Sequence, residues 1–112
     1  MKKLALALTL AAASTTATAN TDELFNYGHI YGYYKTTSAV VCADESTPNI
    51  NRLSRDFKAI LNDINHRAVI LGYRNGDKQA RLDAASAGVP TAKWCAISDS
   101  KAKKIVDSMN AG

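Results

Sequence analysis

Between Pro48 and Tyr73 the apolar positions fall at Ile50, Leu53, Phe57, Ile60, Leu61, Ile64, Ala68 and Leu71. Gaps of three and four place them on one stripe of an α-helix, whereas a strand would scatter them over both faces. Arg52, Arg55, Lys58, Asn62, Asp63 and Arg67 occupy the opposite side, as a solvated face requires. Thr47-Pro48 has the form of a helix start, a capping hydroxyl followed by a residue with no N–H to satisfy. Asn75-Gly76 has the form of a stop, since both residues tolerate a left-handed backbone. The pattern predicts one helix over 48–73, about 39 Å long at 1.5 Å per residue. Partner helices must cover its stripe.

Upstream, Thr21 to Ala43 reads as a first helix. Asn20 or Thr21 can cap it, and Asp22 and Glu23 sit where the helix dipole favours acids. Leu24, Tyr27, Tyr31, Tyr34, Ser38, Val41 and Cys42 keep helical spacing, with Ile30, Tyr33, Thr37 and Val40 as a neighbouring row. A strand or hairpin is the rival, because Tyr, Thr and Val favour strands and Gly28 and Gly32 weaken a helix. On a helix those glycines form a smooth strip that a partner can approach closely. Asp44 to Thr47 is a polar turn into the long helix, predicting an antiparallel hairpin. Asp77 to Ala87 reads as a third, shorter helix, ended by Gly88 and Pro90. Thr91 to Ile97 is then a connecting segment, with Trp94 as a core plug. Ser98 caps a last helix through Met109, with Ala102, Ile105, Val106 and Met109 inward and Lys101, Lys103 and Lys104 outward. The expected fold is all-α, a small bundle of about four helices.

The N-terminus changes the picture. Met1-Lys2-Lys3, the apolar run Leu4 to Ala13, and the small-x-small triplet Ala17-Thr18-Ala19 follow the order of a secretory signal peptide. Residues 1–19 are therefore expected to be removed, leaving 20–112 as a single helical domain in the periplasm or outside the cell. The apolar run is shorter than the roughly 20 residues a bilayer requires, so no membrane association is expected after cleavage. The formal charge of +4 includes Lys2 and Lys3, so the mature domain carries about +2. Its charges are interspersed, which argues against nucleic acid as a partner. The two cysteines, Cys42 and Cys95, predict one disulfide in an oxidising compartment.

Candidate chemistry is sparse. Tyr27, Tyr31, Tyr33 and Tyr34, with His29 among them, are the conspicuous cluster, and tyrosine is enriched at protein interfaces. Tyr27, Tyr31 and Tyr34 share a helical face while Tyr33 projects elsewhere, so core packing and partner contact both remain open. These five are the candidate partner-binding residues. His66, near the end of the long helix, has no catalytic arrangement around it in sequence. Nucleophile elbows, phosphate-binding glycine loops, metal-binding His motifs and haem-attachment motifs are absent from the sequence. No cofactor, metal site or enzymatic activity is expected.

The pattern instead suits a small exported protein that binds another protein, as an inhibitor or effector-immunity protein does. A homodimer is a further possible assembly. The segment Cys95-Ala96-Ile97-Ser98-Asp99 is faintly similar to the closing segment of helical immunity proteins that protect against type VI amidase effectors, without their proline after the cysteine. The alternatives are a periplasmic stress chaperone of the small acid-activated type, and a ligand-binding protein or enzyme using a His/Tyr cleft.

Overall fold

A computed structural model describes residues 21–61 and 66–110. The signal-peptide expectation falls on residues 1–19 and lies outside them. Four helices make up the described chain: α1, Thr21–Thr36; α2, Pro48–Ile60; α3, Arg67–Ala85; and α4, Thr91–Asn110. The all-α reading and the disulfide both hold. Cys42 and Cys95 are bridged with their Cα atoms 5.9 Å apart.

The first helix runs as expected but loosens at its end, where Thr37–Val41 forms a π-turn. The Thr37 hydroxyl donates to the Tyr33 carbonyl at 2.8 Å, and the Cys42 N–H reaches back to the Thr37 carbonyl at 2.7 Å. Side-chain bonding into the preceding turn is a recognised cause of helix distortion. The π-turn carries the chain to Cys42, where the bridge to α4 is made.

The expected helix over 48–73 is broken. Helix α2 ends at Ile60, and Leu61 leaves helical geometry at φ −81° and ψ 83°. Helix α3 then begins at Arg67, capped by His66, whose Nδ1 accepts from the Ala68 N–H at 3.1 Å. His66 thus stands at a helix start and not near a helix end. Asn75-Gly76 is not a stop but the interior of α3, which runs on to Ala85 and absorbs the expected short helix. The segment 91–97, expected to be a connection, forms the first turns of α4. Ser98 is accordingly buried mid-helix and does not act as a cap. The loop before α4 turns at Gly88, whose φ of 71° suits a residue without a Cβ.

Helices α1 and α2 form the expected antiparallel hairpin: Ser38 bonds Asn51 near the turn, and Tyr27 packs on Phe57 farther along. The chain then returns so that α3 runs parallel to α1. Gly28 lies against Val69, Gly32 against Tyr73, Gly72 against Phe25 and Gly76 against His29 and Tyr33. A Cβ at any of the four would overlap the facing backbone. This approach explains why α3 buries Val69, Gly72, Gly76 and Ala80, while Leu71, counted on the expected stripe, is exposed. The other half of the molecule is a conventional apolar core. Ile50, Leu53, Phe57 and Leu61 of α2 and its end join Ala102, Val106 and Met109 of α4.

Asp99 joins the two halves of that core. Its Oδ1 accepts from the backbone N–H groups of Asn49 and Ile50, each at 2.9 Å, and Oδ2 accepts from the Asn49 amide at 2.8 Å. Thr47, the expected cap of this helix, makes no capping bond. Its hydroxyl instead faces Ser38 at 3.5 Å.

Candidate functional site

The five candidate residues separate into four environments. Tyr31 is buried in the core and packs at a tilt on Tyr73, with ring centroids 5.4 Å apart. Tyr27 is half-buried against Phe57, and burial raises its phenol above the ordinary value, with Glu23 adding to the shift. His29 bridges the parallel helices, its Nδ1 lying 2.8 Å from the Asn75 side-chain oxygen. Tyr33 and Tyr34 stand apart from these three. They line a groove of about 450 Å³ where the end of α1 meets the end of α3, the 86–90 loop and the start of α4.

Three helices and a loop build the groove. From α1 come Tyr33 and Tyr34, packed edge to face with centroids 5.2 Å apart. The Tyr33 hydroxyl donates to Asp83 of α3 at 2.6 Å, and Asp83 also accepts from Gln79 at 2.7 Å. That bond fixes the Tyr33 ring in orientation. Burial, reinforced by the Asp83 carboxylate, holds its phenol far above the ordinary range. Burial also raises the Tyr34 phenol. The 86–90 loop adds Val89, and α4 adds Trp94, Ile97 and Lys101.

Trp94 is half-buried at this groove and is not a member of the apolar core. Ile97, 42% exposed, and Val89, 36% exposed, leave large apolar surface facing water around it. The aromatic walls are held by two anchors: the buried disulfide at Cys95, beside Trp94, and the part-buried hydrogen bond from Tyr33 to Asp83. Asp83 and Lys101 place one charge of each sign on the lining. A groove of this kind can take an apolar side chain and hydrogen-bond its polar surroundings.

The α4 half of the groove escapes a reading that treats 91–97 as a loop. Trp94, Ile97 and Lys101 are spaced by three and four, so one helical face presents them together once α4 starts at Thr91. Among the described residues, no three His, Cys, Asp or Glu side chains gather as a metal site. No helix among them is long and apolar enough to cross a membrane. Compared with known proteins, the chain matches no family model, no curated protein and no solved structure.

Proposed function

We propose that this is a small exported protein that binds another protein, in the manner of an inhibitor or effector-immunity protein, through the Tyr33–Tyr34–Trp94 groove. The observation that carries the reading is the groove itself: three aromatic rings beside exposed Val89 and Ile97 on a braced surface. Aromatic side chains offer large contact area at low entropic cost, and they dominate binding energy where they occur at interfaces. The partner contributes an apolar side chain to the groove, and its polar groups meet Asp83 and Lys101. Of the candidate residues, Tyr33 and Tyr34 make the contact, while Tyr27, Tyr31 and His29 support the scaffold behind it. Export is part of the proposal. The disulfide suits an oxidising compartment, as the N-terminal pattern does.

The test is affinity capture from periplasmic and secreted fractions with the oxidised protein, run beside Ile97→Asp and Leu71→Asp. Both positions are exposed and apolar, but only Ile97 lines the groove. One stoichiometric partner retained by Leu71→Asp and lost by Ile97→Asp is the expected result. Equal capture by all three proteins removes the groove from the account.

A further inference from the structure

A second cleft, sharing no residue with the aromatic groove, lies between α1 and α2 and has a volume of about 240 Å³. Lys35 from α1 and Arg55 and Lys58 from α2 all line it, and its lining contains no carboxylate. Among the described residues, Lys35 and Lys58 make no ion pair, and Arg55 approaches only its neighbour Asp56, at 3.9 Å. Three cations brought to one small cleft without a counter-charge on its walls repel one another, and a bound anion relieves that repulsion.

The neutral groups of the cleft are also donors in want of acceptors. Ser54 is buried, with its hydroxyl sealed from solvent and without a hydrogen-bond partner among the described residues. Buried hydroxyls are ordinarily paired, because leaving one unpaired forfeits its bond to water. Asn51 accepts from Ser38 through Oδ1, which leaves its amide N–H groups to donate. Because the Ser54 hydroxyl is sealed, the cleft offers a ligand its three cations and the Asn51 amide, over walls that are otherwise largely apolar.

We infer that this cleft binds a compact phosphoryl group, with Lys35, Arg55 and Lys58 supplying charge and the Asn51 amide supplying a neutral hydrogen bond. The chemistry selects the ligand. A phosphoryl group brings up to two negative charges and three acceptor oxygens, which a carboxylate does not. Arginine's planar fork is suited to engaging two such oxygens at once. Size points the same way, since pockets for drug-sized molecules run to about 300–1,000 Å³. This cleft falls below that range and takes an inorganic ion or the phosphoryl end of a larger molecule.

The experiment titrates the oxidised protein with inorganic phosphate, and separately with phosphatidylcholine vesicles containing phosphatidate, at constant ionic strength. Backbone and side-chain NMR shifts of Lys35, Ser54 and Lys58 are followed in the first arm, and cosedimentation in the second. Saturable shifts with free phosphate identify a soluble ligand; binding confined to the vesicles identifies a headgroup. Either supports the cleft if Lys35→Gln and Lys58→Gln weaken binding by about tenfold, the scale of a hydrogen bond to a charged group. Both residues are exposed, so these variants keep the fold, and a thermal melt checks that they do. Lys104→Gln, on the solvated face of α4, removes an equal charge elsewhere and is expected to change nothing. No saturable binding in either arm overturns the inference, and so does an equal loss with Lys104→Gln, which would mean nonspecific charge attraction.

Discussion

Asp99 sits within α4 and closes the amino end of α2, a task that sequence reasoning gives to Thr47. Helix starts expose N–H groups that need acceptors, and a carboxylate there also meets the positive end of the helix dipole. Nothing in the local sequence reveals an acceptor some 50 residues away, so this cap was illegible. Asp99→Ala removes both backbone bonds and is expected to cost about 2 kcal/mol, whereas Asp99→Asn retains an acceptor and costs less. The urea midpoint, at unchanged slope, measures both. The tyrosines make a second prediction at this scale. Tyr27, Tyr33, Tyr34 and Tyr73 all have folded-state phenols raised above the ordinary value, with burial the first cause in each. Their stabilising contribution is complete below the unfolded value of about 10. It is lost as pH rises above that value, because the unfolded chain ionises first. Denaturant midpoints should fall above about pH 10, and less steeply in Tyr33→Phe. A flat midpoint through that range would contradict the burial of these rings.

At the scale of elements, the sequence was most legible where the buried face is made of large residues. Ile50, Leu53, Phe57, Ala102, Val106 and Met109 were expected inside, and they are. Helix α3 was misread because its buried face is built from small residues. Gly72 and Gly76 carry no hydrophobic signal, and Asn75-Gly76 resembles a stop because glycine is a poor helix former. The same property allows α1 and α3 to approach until backbone meets backbone. Of the four glycines, the spacing of Gly28 and Gly32 did reveal a strip for close approach, but not which helix fills it. Leu61 gave no warning of a break either, since the apolar stripe continues past it without a change of period. Gly32→Ala and Gly76→Ala place a methyl against facing backbone and are expected to destabilise by about 3 kcal/mol, at the upper end of overpacking costs. Gly88→Ala, with open space around it, serves as a comparison that meets only the backbone cost of its positive φ. Thermal unfolding distinguishes them: a melt of Gly76→Ala equal to wild type would exclude the close packing.

On the scale of the whole molecule, one bridge spans the fold. Cys42 and Cys95 are separated by 53 residues in sequence. A loop of that length is worth about 4 kcal/mol in the chain-entropy model, and the cysteine pair alone made this bridge legible. It links the end of the π-turn to the first turns of α4, beside both walls of the aromatic groove. Reduction is therefore expected to lower the melting temperature by roughly 15 °C or more. An unchanged melt under reducing conditions would mean that packing alone holds the helices together.

The groove was half legible. Tyr33 and Tyr34 stood out by residue type, but Trp94 and Ile97 joined them only because α4 begins earlier than its polar residues suggest. Whether this surface meets a protein is the central question, and site-directed photo-crosslinking answers it most directly. A photoreactive residue at position 97, expressed in the native compartment, is predicted to give one adduct of defined mass, with position 71 giving none. No adduct at 97, or the same set of adducts from both positions, would contradict a partner-binding groove.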